Sequence, residues 1–371
     1  MSTSQPIDRI PTKRIHDIDA LRGITLLGIL IVHTRGLFGY VSLMNTDHFS
    51  VWGVRIAAYI EFLLSNRFAP VFTILFGVSF YLILKNPNYT GRKFVWRCVL
   101  LIGIGLFNKL FYTYDVLMWY GIWGIALVLL RNLPPRKILT IAIMCYILSR
   151  FLSQYKIGNL LFSQFPQRYT EDASLSDIIS YPLVDSIFIY FKHVFNGGIF
   201  GSFSLMAFGY WIGKKGMIEN IRSWATLKTV SILFFIYAFL YGGGIFIHLS
   251  ILVTIGKFAG ALFMATIFLY IYQYFKGMKF LEAYGRMGLT NYSCQSIFGV
   301  ILMSEYFIPK EIDFTFILAY FLLFFGIQAL FSYIWLKYFK YGPMEYIWRS
   351  LVNMKFSNPF KSNSSKKLVL D

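Results

Sequence analysis

Charged residues and cysteine are scarce in this chain. Charged side chains make up 14% of its 371 residues, against about 25% in soluble domains. The three cysteines form no Cys-x-x-Cys pair or Cys/His cluster, so no zinc or redox site is predicted. A Walker-type phosphate loop, a Gly-x-Ser-x-Gly nucleophile elbow and a His-Glu-x-x-His zinc helix are also missing. These absences argue against a soluble enzyme, a resident metal and ATP-driven transport.

Apolar residues, in contrast, are abundant. The chain is 57% hydrophobic, and a membrane crossing takes about 20 apolar residues, so the composition suffices for roughly ten crossings. The segments of spanning length are 21–40, 67–85, 94–113, 115–131, 138–153, 195–213, 228–247, 249–275, 284–303 and 314–338. The segments 138–153 and 195–213 are the weakest, and either is a candidate for a broken or re-entrant helix. The sequence therefore predicts an all-α, polytopic integral membrane protein with about ten transmembrane helices.

The positive charge predicts an orientation. The chain has 35 Lys and Arg against 17 Asp and Glu, a formal charge of +18. With the N-terminus inside, most Lys and Arg fall beside cytoplasmic span ends, as the positive-inside rule requires. We therefore expect both termini in the cytoplasm and no nucleic-acid partner. The first 20 residues are polar, and no cleavage pattern follows the first apolar segment, so no removable signal peptide is expected.

The first apolar segment contains the ionisable residues of greatest interest. Arg22 and His33 are 11 residues apart, which returns to within about 20° of the same helix face and corresponds to a rise of about 16 Å. Asp19 precedes Arg22 by three residues, a spacing that allows an ion pair. His33 is a candidate general base or proton carrier, or it hydrogen-bonds a neighbouring helix. Arg22 is a candidate phosphate ligand, or it marks the cytoplasmic interface.

Other polar residues lie within or beside the later spans. Lys257 lies within a span, and its charge requires a partner or a wet cavity. Arg286 is a candidate phosphate contact, and Arg67 is an external anchor or a pocket cation. Thr290, Asn291 and Gln295 are expected to hydrogen-bond between helices, and Tyr341–Arg349 reads as an interfacial amphipathic segment.

Several segments resemble the YeiB-like bacterial membrane proteins, whose C-terminal half is named as a domain of unknown function. The residues that carry the resemblance are Leu21–Gly23, Phe72–Gly77, Arg97–Tyr120 with Asp115, Gly285–Ser296 and Tyr341–Arg349. The resemblance implies a bacterial plasma-membrane protein. We divide it into a cytoplasmic segment (1–20), a bundle of about six spans (21–213), a YeiB-like signature region of about four spans (214–350) and a basic cytoplasmic tail (351–371).

The YeiB-like family is in turn similar to the transmembrane acyltransferases, which include the lysosomal heparan glucosamine acetyltransferase and bacterial enzymes that O-acetylate surface sugars. The O-acetylating branch carries Arg-x10-His on its first helix, and Arg22 and His33 match that spacing. Typical YeiB-like proteins have Asn in place of His33, so the chain departs there toward the acyltransferase pattern. The segment containing Asp47, His48 and Trp52 is similar in composition, though not in spacing, to the region of the catalytic His in the heparan enzyme.

The resemblance implies transfer of an acyl group from cytoplasmic acyl-CoA, in particular acetyl-CoA, to an extracytoplasmic hydroxyl or amine acceptor such as a surface glycan or a lipid-linked sugar. His33 or His48 would be the catalytic base, and Arg22, Arg286 and Lys257 would contact the CoA or the substrate. No metal is implied. The alternative is a secondary transporter with its site at Lys257 and the glycine-broken spans. Membrane lipid is the expected surrounding partner, and a homo-oligomer is compatible with the sequence.

Overall fold

The structure is a computed structural model. It describes residues 15–42, 50–65, 67–86, 89–111, 115–155, 161, 191–192, 194–275, 277–303 and 314–361, with the backbone alone for 33–42, 61, 250 and 299–303. In these ranges the regular elements are helices, and one isolated antiparallel bridge joins Phe339 to Phe360. The all-α class is therefore confirmed for the part of the chain that the structure describes.

The helices are numbered here in chain order. In the first half they are α1 (His16–Ser42), α2 (Val51–Leu63), α3 (Phe68–Leu84), α4 (Gly91–Lys109), α5 (Leu117–Val128) and α6 (Pro135–Tyr155). In the second half they are α7 (Gly198–Lys214), α8 (Leu227–Phe246), α9 (Ser250–Tyr272), α10 (Lys279–Arg286), α11 (Gly288–Met303), α12 (Phe314–Tyr338) and α13 (Pro343–Asn353). A single turn, Ile221–Trp224, lies between α7 and α8.

Four of these helices are long and apolar enough to cross a membrane by length and composition: α6, α8, α9 and α12. Three shorter apolar helices lie within α2, α3 and α5. Each predicted segment contains at least part of a described helix. From the length and the apolar composition of these helices, the protein is a helical membrane protein. Large apolar side chains such as Met144, Phe239 and Phe316 are exposed on the spanning helices, as expected of surfaces that face lipid.

The helix irregularities differ from those expected. The segment 138–153 lies in the uninterrupted helix α6. The segment 195–213 has a turn at 196–197, with Gly197 at φ 78°, and continues from there as the uninterrupted helix α7. The irregular span is α8, which contains a π-helical turn at Ala238–Gly242. The predicted segment 284–303 is divided at Met287, where α10 ends and α11 begins. The amphipathic segment at Tyr341–Arg349 forms most of α13, whereas α2 was not predicted.

Local sequence fixes several of the helix starts. The hydroxyls of Ser50, Thr90 and Thr226 accept hydrogen bonds from backbone amides three residues later, which satisfies donors that have no partner within the helix. Pro343 occupies the first turn of α13, where its missing N–H costs nothing. These signals are in the sequence, so the starts of α2, α4, α8 and α13 follow from local chemistry.

Close helix contacts are made through glycines. A Cβ at Gly77 of α3 would lie 1.9 Å from the backbone oxygen of Met206 of α7, and one at Gly209 of α7 would lie 2.0 Å from that of Ile74. The two backbones therefore approach more closely than any side chain would permit, the usual mode of packing between helices in membranes. The main core, which includes Leu26, Phe72, Phe94, Tyr120 and Met206, lies around this contact.

Candidate functional site

Arg22 has hydrogen-bond partners on α1 and on α3. Its Nη1 donates to Oδ1 of Asp19 at 3.0 Å, and its Nη2 donates to Oγ of Ser79 at 2.5 Å. The predicted ion pair between Asp19 and Arg22 is confirmed. The Asp19 side chain is buried, whereas 27% of the Arg22 side chain is exposed. The guanidinium is therefore oriented by Asp19 of its own helix and by Ser79 of α3, and the Arg22 side chain is partly exposed.

Helix α10 lies directly against this part of α1. A Cβ at Gly23 would lie 2.2 Å from the backbone oxygen of Leu281, and one at Gly285 would lie 2.0 Å from that of Asp19 and 3.1 Å from Cβ of Arg22. Arg286, which is half-buried, is the next residue of α10. Two of the predicted phosphate-binding residues, Arg22 and Arg286, therefore belong to one helix contact.

Two further ion pairs fasten the start of α1. Oδ1 of Asp17 accepts from Nε of Arg222 at 2.9 Å, and Nδ1 of His16 lies 2.7 Å from Oε2 of Glu282. The hydrogen bond and charge of Asp17 raise the pKa of Arg222. The Tyr272 hydroxyl donates to the other oxygen of Glu282. Helices α9 and α10 and the turn before α8 are thereby fixed around the region that contains Arg22.

The predicted catalytic histidines lie where the structure describes no side chain. The backbone of His33 continues α1, 11 residues after Arg22, and its imidazole lies outside what is described. His48 lies outside the described residues altogether. The proposed roles of both histidines stay predictions.

Lys257 belongs to a different neighbourhood from Arg22. It is half-buried on α9, between Gly256 and Gly260. A Cβ at Gly256 would meet Tyr241 at 2.6 Å, and one at Gly260 would lie 2.9 Å from the Tyr237 ring. The structure therefore places Lys257 on the helix that packs against the π-helical turn of α8, rather than beside Arg286.

Arg67 is the buried cation of that neighbourhood. Its side chain is 1% exposed, and it donates to the Ser65 carbonyl at 2.6 Å and to the Tyr237 hydroxyl at 2.9 Å. Its guanidinium carbon lies 4.8 Å from the Tyr241 ring centroid and 5.4 Å from that of Tyr237. Tyr237 directly precedes the π-helical turn and Tyr241 lies within it, and such turns often occur at functional sites. The burial of Arg67 argues against an exposed external anchor, which leaves the role of a pocket cation as a prediction.

A buried polar network joins α4, α5 and α11, and the sequence reasoning missed it. Oδ1 of Asp115 accepts from the backbone amides of Leu117 and Met118 at the start of α5. Nδ2 of Asn108 donates to Oδ2 of Asp115 at 3.4 Å and to Oγ of Ser293 at 3.2 Å. Asn108 and Asp115 are at most 1% exposed. The only sequence signal was the place of Asp115 in a resembling segment.

The two late signature segments contact each other through Glu345 of α13. Its Oε1 accepts from the backbone amides of Leu289 and Thr290 at 2.6 and 3.1 Å, and its Oε2 accepts from the Thr290 hydroxyl at 2.6 Å. Burial raises the pKa of the Glu345 carboxyl, although these hydrogen bonds lower it. A carboxylate at the positive end of a helix is favourable, so Glu345 acts as a cap for α11.

Polar side chains also join α10, α11 and α12. Nδ2 of Asn291 donates to the Tyr284 carbonyl at 2.9 Å and to Oγ of Ser332 at 3.0 Å. Nε2 of Gln295 donates to the Tyr284 hydroxyl at 2.5 Å, and that hydroxyl donates to Oε1 of Gln328 at 3.1 Å. The expectation that Thr290, Asn291 and Gln295 hydrogen-bond between helices is confirmed. These contacts explain the later signature by packing rather than by catalysis.

The arrangement around Arg22 can bind an anion. Arginine presents a planar fork of donors that matches the oxygens of a phosphate, and here Asp19 and Ser79 orient it. Within the ranges that the structure describes, no group of three His, Cys, Asp or Glu could hold a metal ion. The described chemistry at this end of α1 is therefore charge and hydrogen bonding.

Comparison with known proteins finds similarity to proteins of unknown function. Residues 212–355 match the family described as "Protein of unknown function (DUF418)". The chain is 26% identical over 355 residues to an uncharacterized 39.9 kDa protein encoded in the amylase 3′ region of Bacillus acidopullulyticus, with 93% of this chain and 95% of that protein covered. It is 25% identical to the uncharacterized protein YeiB of Escherichia coli (strain K12), with 94% and 98% covered. The C-terminal part of the chain therefore matches DUF418, and nearly the whole chain is similar to YeiB-like proteins of unknown function.

A third relative is similar over the same length. The uncharacterized protein YxaH of Bacillus subtilis (strain 168) is 25% identical, with 94% of this chain and 96% of that protein covered. No solved structure matches the chain. Both late signature segments lie inside residues 212–355, so the contact between Glu345 and Thr290 belongs to the DUF418 region of this YeiB-like protein. Arg22 precedes that region.

Proposed function

We propose that this YeiB-like protein is a transmembrane acyltransferase. It moves an acyl group, in the first instance acetyl, from acyl-CoA in the cytoplasm to a hydroxyl or amine acceptor on the other side of the membrane, such as a surface glycan or a lipid-linked sugar. The proposal includes a multi-pass protein of the bacterial plasma membrane with about ten spans and both termini in the cytoplasm.

The observation that carries this proposal is the oriented guanidinium of Arg22. It lies at the start of α1 with Asp19 and Ser79 as partners, and the contact of α1 with α10 brings Arg286 to the same region. Two arginines suit the phosphates of CoA. His33 follows on the same helix, about 16 Å along its axis, so α1 links a phosphate site with a base deeper in the membrane. Lys257 is assigned to the acceptor side of the path.

The proposed reaction is base-assisted acyl transfer. The imidazole of His33, or of His48, takes the proton of the acceptor hydroxyl as its oxygen attacks the thioester carbonyl carbon. The new C–O bond gives a tetrahedral oxyanion, which requires hydrogen-bond donors. Collapse of this intermediate breaks the C–S bond, and the CoA thiolate leaves with the proton returned by the imidazolium. Each step balances without a metal or a redox partner.

The test uses the full chain in proteoliposomes with radiolabelled acetyl-CoA and a membrane-glycan extract. We expect labelled acceptor from the wild type, and a loss of turnover of about 100-fold or more in H33A or in H48A, depending on which histidine is the base. R22Q should raise the KM for acetyl-CoA, whereas H248N, a matched histidine control at a left-handed position, should behave as the wild type. The enzyme proposal fails if the wild type neither binds CoA nor transfers label, or if both histidine variants retain wild-type turnover.

A secondary transporter is the second candidate, and the buried Arg67 beside the π-helical turn of α8 favours it. Irregular helices in the membrane commonly form the binding sites of transporters, and a buried guanidinium suits an organic anion. This candidate predicts uptake of radiolabelled carboxylates into vesicles without acyl-CoA, with R67Q inactive. If uptake is absent and acyl transfer is present, the transporter candidate is excluded.

A further inference from the structure

A cluster of basic and aromatic side chains lies where α4 meets α13, far along the chain from Arg22. We call it the α4–α13 site and define it as Lys93, Arg97 and Arg349 with the rings of Tyr89 and Trp348. The guanidinium carbon of Arg97 lies 3.7 Å from the Trp348 ring centroid. The indole N–H of Trp348 donates to the Arg97 carbonyl at 3.1 Å. The Trp348 ring therefore fixes the plane and the position of the Arg97 fork.

The remaining cations lie around this pair. Nζ of Lys93 is 5.4 Å from the Tyr89 ring centroid. Tyr89 and Arg349 are both close enough to Arg97 to interact with it electrostatically. The guanidinium carbon of Arg349 is 4.3 Å from the ring centroid of Tyr341. Like charges held close together repel one another, so this arrangement favours an anion that neutralises them.

No carboxylate supplies that anion within the described chain. The ion pairs found there are those of His16, Arg22, Lys85 and Arg222. Glu345 is one helical turn before Arg349, but its oxygens accept hydrogen bonds from Leu289 and Thr290 of α11. The buried Nε of Arg97 has no hydrogen-bond partner among the described residues, and a buried donor without a partner is costly.

The site also has the composition of a membrane interface. Helix α13 is amphipathic, with Trp348 buried and Arg349 exposed. Tyrosine and tryptophan favour the headgroup layer, and clustered Lys and Arg at a membrane surface attract phosphate-bearing headgroups. These properties favour a phosphate group in the headgroup layer over a carboxylate ligand deep in the membrane.

We propose that the α4–α13 site binds a phosphate group, with the Arg97 fork as its central ligand and Lys93 and Arg349 as flanking cations. The source is either the headgroup of an anionic phospholipid or a soluble phosphate compound such as CoA. The site goes beyond the proposed acyl transfer, since it shares no residue with the region of Arg22 and Arg286. It therefore stands whether or not the protein is an enzyme.

The experiment compares binding to the full chain in nanodiscs. In one arm the nanodiscs are phosphatidylcholine with or without phosphatidylglycerol, and the shift in Tm is measured. In the other arm they are phosphatidylcholine alone, and CoA or inorganic phosphate is titrated. The variants are R349Q, which removes an exposed cation, and R97K, which keeps the charge but loses the fork. R136Q removes an exposed arginine of α6 outside the site and serves as the matched control.

We expect the wild type and R136Q to be stabilised equally by the phosphate compound, and R349Q to require about tenfold more of it. A stabilisation confined to phosphatidylglycerol assigns a lipid headgroup, and one confined to CoA or phosphate assigns a soluble ligand. R349Q retains the buried Arg97 and Trp348 pair, so its fold is checked by its Tm without ligand. The proposal is overturned if neither arm stabilises the wild type, or if R349Q and R97K respond as R136Q does.

Discussion

At the scale of single residues, the structure separates buried polar groups that hold helices together from those that remain open to a ligand. Asn108, Asp115, Asn291 and Glu345 are buried and hydrogen-bonded to neighbouring helices. Arg22 is oriented by such contacts yet partly exposed. The cysteines also differ in exposure, since Cys98 is buried and Cys294 is exposed. Spacing along the sequence cannot make this division, because burial depends on which helices become neighbours.

Removing the Glu345 carboxyl tests its capping role. E345A leaves the amide of Leu289 and the amide and hydroxyl of Thr290 without their acceptor, and each unsatisfied buried group costs roughly 1–3 kcal/mol. E345Q keeps one acceptor and removes a charge whose burial is unfavourable, so we expect it to lower the Tm less than E345A does. An equal loss of Tm in both variants would contradict the capping assignment.

The raised pKa of Glu345 also predicts a pH dependence. Since the folded protein holds this proton more tightly than the unfolded chain does, the contribution to stability is fully present below the ordinary glutamate pKa of about 4.3 and is lost as the pH rises through the folded value. Acidification should therefore stabilise the wild type relative to E345Q. The Tm values of both proteins, measured across the acidic range, check the sign, and parallel curves would refute it.

At the scale of elements, glycine contacts decide which helices lie against each other. Gly23 and Gly285 bring α1 and α10 into backbone contact, and Gly77 and Gly209 do the same for α3 and α7. The ten apolar segments were predicted from hydropathy alone, because the hydropathy of about 20 consecutive residues is a local property of the sequence. The π-helical turn in α8 and the break at Met287 were not predicted, since hydropathy does not report how the backbone hydrogen bonds are arranged.

A substitution in the contact between α1 and α10 tests its importance. The Cβ of G23A would lie 2.2 Å from the Leu281 oxygen, whereas a Cβ at Gly103 of α4 meets nothing within 4 Å. We expect G23A to cost about 1–3 kcal/mol, the usual effect of overpacking, and to weaken any function that depends on Arg22. G103A is the matched control and should not lower the Tm. If the two variants melt together, α1 and α10 are not in backbone contact.

At the scale of the whole molecule, the distribution of positive charge along the sequence predicts the orientation in the membrane. Most of the 35 lysines and arginines fall on the side that the spans assign to the cytoplasm. The described structure adds that many of these cations have specific partners, such as Asp17 for Arg222 and Glu219 for Lys85. These cations therefore also take part in contacts between elements, beside the role in orientation that the sequence predicts.

Labelling of single cysteines tests the orientation. In a background with the native cysteines replaced by serine, S4C and S364C should resist a membrane-impermeant maleimide in intact cells and react after permeabilisation. S174C, in a predicted external segment, should react in intact cells and serves as the control. Labelling of either terminus from outside would overturn the proposed orientation, because the positive-inside rule would then be violated.

The sequence by itself determined the membrane location, the helical class and the family resemblance, since each depends on hydropathy or on short motifs that survive without three-dimensional information. It also gave the pairing of Asp19 with Arg22, because residues three apart on a helix are neighbours. Only the tertiary structure decided that Gly285 lies beside Arg22, that Glu345 caps α11, and that Arg97 lies against Trp348. Those contacts join residues far apart in the chain, so they exist only once the helices have chosen their neighbours.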